Sequence, residues 1–173
     1  MPVITTITPL ALLGVSTEQA TGDAGIDTLL NLDNLVGTNF NDAIIGVSAR
    51  NVLNGGLGND AMTSGSGADF FVFDSLVGAS NIDTISDVSA ADDKIRLENT
   101  GVGLFNSVTA TGTIAANAFW TGIAAHLATE RIIYNSLNGD RFYDDDGTGA
   151  TAAIKLGVLG TGLTLPNADF VVI

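Results

Sequence analysis

The sequence predicts an all-β chain built around a parallel β-roll, a solenoid whose core is one side chain wide. Three observations carry this reading. A nine-residue period runs from Thr28 to Val72; glycine is abundant and proline scarce, at 21 and three residues; and of 19 acidic residues only Glu18, Glu98 and Glu130 are not aspartate. Fixed short periods are the signature of stacked architectures. Tight turns draw on glycine, and the short aspartate side chain suits turns and oxygen-ligand loops.

Residues 1–27 form a lead-in to the roll. Their opening stretch, MPVITTITPLALLGV, is apolar but lacks a basic segment. At about a dozen residues it reads poorly as a signal peptide and is too short to span a bilayer. If the chain leaves the cell, its address is expected elsewhere.

The roll is assigned to residues 28–93. In register, the repeats read TLLNLDNLV, GTNFNDAII, GVSARNVLN, GGLGNDAMT and SGSGADFFV. The sixth position holds Asp33, Asp42, Asn51, Asp60 and Asp69, and the eighth is always apolar: Leu35, Ile44, Leu53, Met62 and Phe71. Each unit therefore offers a turn and then a short strand with an apolar middle residue. Two units close one coil, and coils stack at the strand spacing of about 4.8 Å. Leu35, Leu53 and Phe71 then form one inward ladder, with Ile44 and Met62 facing it. Gly56, Gly58, Gly65 and Gly67 fall where the turns need backbone conformations closed to other residues.

Stacking brings the sixth-position side chains together, Asp42 on Asp60 and Asn51 on Asp69. Two carboxylates about 5 Å apart repel by roughly 3 kcal/mol at an effective dielectric near 20. A cation between the turns removes that cost. Oxygen-only ligands, carboxylate plus turn carbonyls, favour Ca²⁺ over zinc or copper. Asp87, Asp92 and Asp93 lie just past the repeats, and Asp87 is taken as the candidate last ligand; Asp93-Lys94 reads equally well as a strand start.

These residues resemble a known family. GGLGNDAMTSGSGADFFVF looks like the nonapeptide calcium repeats of RTX (hemolysin-type) proteins, whose consensus is GGxGxD, any residue, an apolar residue, any residue. The segments NIDTISDVSAADDKIRLEN and RIIYNSLNGDRFYDDDGTGATAAIKLGVL resemble the roll closure and the strand-rich cap of serralysin-type carboxy-terminal domains. The resemblance implies a roll that folds when calcium binds, then a β-rich, sandwich-like cap over residues 94–173. It also implies a secreted protein whose last residues, Asp169 to Ile173, are read by a type I secretion apparatus. On that reading, deleting Phe170 to Ile173 blocks export and leaves calcium-dependent folding little changed. The match has departures. Unit 64–72 opens with Ser64, Phe40 and Ala49 replace turn glycines, and Asn51 replaces an aspartate, so few calcium sites are expected.

Catalysis is not expected. His126 is the lone histidine, so no HExxH motif exists, and GxSxG and phosphate-cradling loops are missing. No cysteine is present. Asp144-Asp145-Asp146-Gly147 lacks the glutamate of an EF-hand loop, with Ala153 in its place, and reads as a hairpin turn. Trp120 with Phe119 is a candidate carbohydrate platform, although one aromatic pair is more often core. The net charge of −13 disfavours nucleic acid and anionic membranes as partners. An extracellular binding or self-assembly module, of the S-layer, adhesin or epimerase repeat type, is the alternative. Arg50, Lys94, Arg96, Arg131, Arg141 and Lys155 are spread too thinly to hold a polyanion well. A monomer is expected, with exposed strand edges leaving self-association open.

Overall fold

A three-residue strand between two tight turns can bury only its middle side chain, so coils of this sequence gain stability by stacking rather than singly. The computed structural model describes residues 3–4, 19–20, 26–27, 34–75, 78–100, 105, 107–108 and 110–173; Asp33 lies outside them. Three two-residue strands come first: β1 (Val3–Ile4), β2 (Gln19–Ala20) and β3 (Ile26–Asp27). The repeats then supply β4 (Asn34–Val36), β5 (Ala43–Ile45), β6 (Val52–Asn54), β7 (Ala61–Thr63) and β8 (Phe70–Phe73). Two further strands, β9 (Asp83–Ile85) and β10 (Lys94–Leu97), complete the roll.

Alternate strands go to opposite sheets. In one, β4, β6, β8 and β10 pair in parallel with Leu35, Leu53, Phe71 and Ile95 in one row. In the other, β5, β7 and β9 place Ile44, Met62 and Ile85 in the facing row. All seven side chains are essentially excluded from solvent. The all-β parallel roll follows directly from the apolar eighth position.

The cap is a continuation of the same two sheets. Its strands are β11 (Gly112–Thr113), β12 (Phe119–Thr121), β13 (Ile132–Tyr134), β14 (Asp140–Tyr143), β15 (Ile154–Val158) and β16 (Phe170–Val172). Strand β15 lies parallel on β9, and β14, β13 and β12 follow outward. Strand β16 lies parallel on β10, with β11 antiparallel beyond it. Among the described residues each sheet thus runs to seven strands without a seam between roll and cap.

The carboxy-terminal tail is an inner strand of that arrangement. Phe170 and Val172 are buried, and the Phe170 ring lies 5.0 Å from that of Phe119. The Ile173 N–H donates to the Leu97 carbonyl at 2.9 Å, and Lys94 Nζ meets Asp169 Oδ1 at 2.9 Å. An apolar tail read as a detachable address is, in the folded chain, part of the core.

Two other sequence features resolve simply. The aspartate run is the β14–β15 turn, where one Asp144 oxygen accepts the N–H groups of Asp146 and Gly147 at 3.2 and 2.8 Å. Phe119 and Trp120 point to opposite sides of β12, so they form no shared platform. Phe119 packs inward on Phe170, while Trp120 stacks on His126 at 3.9 Å, and that imidazole is held by Glu130.

Candidate metal centre

The sixth-position side chains face inward beside each turn and form two columns, one along each edge of the roll. Each column is strung together by hydrogen bonds between coils. The Asp42 N–H donates to Asp60 Oδ1 at 2.8 Å, and the Asp60 N–H donates to Asp83 Oδ1 at 3.1 Å. On the other edge, the Asn51 N–H donates to Asp69 Oδ1 at 2.7 Å, and the Asp69 N–H donates to Asp93 Oδ1 at 2.9 Å. All six residues are buried. Asp42, Asn51, Asp60 and Asp69 are therefore brought together as the repeat pattern expects. Asp87 is placed differently: its two oxygens accept the Ser64 and Gly65 N–H groups at 3.0 and 2.7 Å, at the mouth of a turn. Asp92 is exposed.

The columns continue through Asp83 and Asp93 because the last coil is longer. Ladder partners are 18 residues apart in the repeats but 23 and 24 apart in the final coil. Asp83 escaped the nine-residue register. Its signal was the local pattern Asp83-Thr84-Ile85, an aspartate two residues before an inward apolar side chain, repeated in Asp93-Lys94-Ile95.

The turns differ in how their oxygens are used. In the first two, the side chain closes its own turn: Asp42 Oδ2 accepts the Thr38 N–H at 2.6 Å and Asn51 Oδ1 the Val47 N–H at 2.8 Å. In the next two, Oδ1 of Asp60 and of Asp69 joins the ladder, and Oδ2 of each is buried with no hydrogen-bond partner. Asp42 Oδ1 is orphaned as well. A buried carboxylate oxygen without a donor is costly unless a cation meets it. Among the described residues, no three or more acidic, histidine or cysteine side chains are grouped so that they could hold a metal ion by themselves. An ion here must therefore draw on backbone oxygens too. Gly56 and Gly58, at φ +89° and +124°, lie against the carbonyls of Thr38 and Phe40 in the preceding coil, where a Cβ would collide. Gly65 and Gly67 lie likewise against the carbonyls of Val47 and Ala49. Carboxylate and carbonyl oxygens without nitrogen or sulfur form a hard donor set that suits calcium.

Residues 36–71, which span these turns, match the RTX calcium-binding nonapeptide repeat in four copies. Residues 36–71 are RTX calcium-binding repeats. No curated protein matches it. Calcium is thus the ligand of the RTX turns, and the donor set described above fits it.

Burial dominates the electrostatics of the Asp42 column. It pushes Asp60 up to about 7, helped by the charges of Asp83 and Asp42 and opposed by the hydrogen bond from the Asp42 N–H. Burial likewise raises Asp83 to about 6, against the Asp60 N–H and the nearby Arg141 charge. An ordinary aspartate titrates near 3.9. Without metal, the folded chain resists ionising Asp60 while the unfolded chain ionises it freely. The chelated roll should therefore lose stability as pH rises from about 4 to about 7. With calcium the sign reverses, because protons compete for the same oxygens. Calcium titrations followed by circular dichroism at about pH 8 and about pH 5 should show the midpoint moving to higher calcium at the lower pH. Binding near neutrality should release protons in a weakly buffered titration; uptake of protons, or a midpoint independent of pH, would contradict the assignment of Asp60 as a ligand.

Proposed function

We propose that this chain is a calcium-driven folding module of an exported protein. The observation that carries the reading is the pair of buried, donorless oxygens, Asp60 Oδ2 and Asp69 Oδ2, set in matched RTX turns. Asp42, Asn51, Asp60 and Asp69, with carbonyls of the turns at Gly56, Gly58, Gly65 and Gly67, hold the ions; Asp87 completes the mouth of the turn at Ser64. Where calcium is scarce, as in a cytosol, these carboxylates oppose one another and the roll stays open. Where calcium is plentiful, each occupied site contributes RT ln(1 + [Ca]/Kd), about 1.4 to 2.7 kcal/mol at ten to a hundred times Kd. A few such sites decide the state of a marginal solenoid. The extracellular space is the destination, and a type I exporter reads the chain before it folds.

The polyanion-binding alternative gains nothing from the structure. Arg50 and Arg96 lie over the Phe70 ring, Lys94 pairs with Asp169, Lys155 with Asp140, and Arg131 donates to the Ala128 and Glu130 carbonyls. Arg141 is wholly buried. The test is circular dichroism in chelator and in millimolar calcium. The chain should gain β-structure on calcium addition and lose it again in EDTA; identical spectra would sink the folding-switch reading.

A further inference from the structure

Arg141 has a place in the fold that the calcium turns do not explain. It is completely buried, and its Nε, Nη1 and Nη2 have no hydrogen-bond partner. Burying a guanidinium without compensation is among the costlier things a fold can do. Its neighbours show what compensates it. The guanidinium lies 3.8 Å from the centre of the Phe73 ring, a cation–π contact from the opposite sheet. Among the described residues it makes no ion pair within 4 Å; the carboxylate in its own row of the sheet is Asp83, on β9, one strand beyond its partner β15.

Strand register explains how a cap residue reaches a roll residue two strands away. Arg141 on β14 pairs with Gly157 on β15, and Gly157 pairs with Asp83 on β9. Asp83 in turn stands next to Asp60, and Asp60 next to Asp42. One row thus crosses the sheet as Arg141, Gly157, Asp83, Asp60, Asp42. Gly157 is the gap in that row. A Cβ there would lie 2.6 Å from the Asp83 carbonyl oxygen and 3.5 Å from Arg141 Nη2. Glycine inside a central strand is unfavourable unless something must pass close by; here the Asp83 carbonyl does, and the arginine side chain lies alongside at ordinary contact distance.

We propose that Arg141 is the protein's own counter-cation for the Asp42–Asp60–Asp83 column, taking at its cap end the place that calcium takes in the turns before it. The column then has carboxylates throughout, mobile ions at the repeat end and a covalently tethered cation at the other. Asp83 is neutralised by the cap instead of by metal, which joins cap docking to the state of the column. This rests on calcium serving the Asp42 and Asp60 turns.

A double-mutant cycle on the full chain in excess calcium tests it, read as the thermal midpoint by circular dichroism. Arg141→Met strands the Asp83 carboxylate, and Asp83→Asn strands the guanidinium while keeping an acceptor for the Asp60 N–H. Each should lower the midpoint by roughly 10 °C. The double variant should melt no lower than Arg141→Met, because neither charge is then left alone. Additive losses, or an Asp83→Asn variant that melts like the parent, would overturn the proposal. If Arg141→Met does not fold, recovery of folding in the double variant supports the pairing. Failure of the double variant while Asp83→Asn folds refutes it. The parent chain measured in chelator separates this from the folding switch: a parent equally folded with and without calcium removes the switch, whereas the outcomes of the mutant cycle alone decide the arginine pairing.

Discussion

Deleting Phe170 to Ile173 should leave the purified chain unable to complete its fold even in excess calcium. Strand β16 sits between β10 and β11, and two of its side chains, Phe170 and Val172, are in the core. Truncating a buried phenylalanine alone costs about 3–5 kcal/mol. The deletion also removes the pairing that covers β10 and the Ile173 N–H bond to Leu97. Against a total stability of about 5–15 kcal/mol for an ordinary domain, the sum is decisive. Calcium titration of the truncated chain by circular dichroism should reach a smaller amplitude at a higher midpoint than the parent. A superimposable titration would show that β16 is dispensable. The expectation drawn from sequence, that folding of the truncated chain changes little, treated the tail as a signal only. An export assay on the deletion would therefore conflate a lost address with a lost fold; Phe170→Ala, which keeps the tail's length, should already destabilise the purified protein.

The second large effect belongs to Asp60. Asp60→Ala should raise the calcium midpoint for folding more than Asn51→Ala does. The substitution removes the orphaned Oδ2 that awaits an ion and the Oδ1 that accepts the buried Asp42 N–H. An abandoned buried donor costs about 1–3 kcal/mol, and an ion site at ten to a hundred times Kd contributes about 1.4–2.7 kcal/mol. Asn51 supplies only a neutral amide oxygen, and that oxygen is already held by the Val47 N–H. Asp69→Ala should fall near Asp60→Ala, because it too breaks a ladder bond and removes an orphaned oxygen. In chelator the order should invert, since Asp60→Ala relieves a carboxylate pressed between Asp42 and Asp83. Calorimetric titrations of the three variants decide it; an Asn51→Ala variant as impaired as Asp60→Ala would mean that the ions sit elsewhere.

What the sequence disclosed was whatever the nine-residue period reached. The apolar eighth position specifies both inward ladders, and the sixth position specifies the columns up to Asp60 and Asp69. Beyond Val72 the period breaks, and strict counting runs from Asp69 to Asp87, which lies 18 residues on. The chain has instead lengthened its last coil, so that Asp93 takes the column and Asp87 serves the turn mouth. An inserted loop of a few residues leaves the local aspartate–apolar pattern intact but destroys its phase. The arginine row was illegible for a different reason. Nothing in the local sequence around Arg141 or Gly157 says which strand will neighbour which, because the β9–β15 pairing joins residues more than seventy positions apart. The tail's place in the sheet was hidden for the same reason: an apolar terminal run looks alike whether it serves as a signal, a strand or both.

The ladder bonds all run one way. In every case the N–H of one coil donates to a carboxylate of the coil that follows it in sequence. The two ends of the stack are therefore chemically unlike. Its leading end presents carboxylate acceptors, while its trailing end presents buried backbone donors that must be met from outside the repeat. On one edge that donor, the Asp93 N–H, is taken by the Ser89 carbonyl at 2.9 Å, and Asp93 accepts the Ser89 N–H in return through its second oxygen. A lineage of such chains can gain or shed whole coils of 18 residues ahead of Gly37 without disturbing the terminator, so variation in array length should accumulate upstream of a closing module whose own length is comparatively fixed.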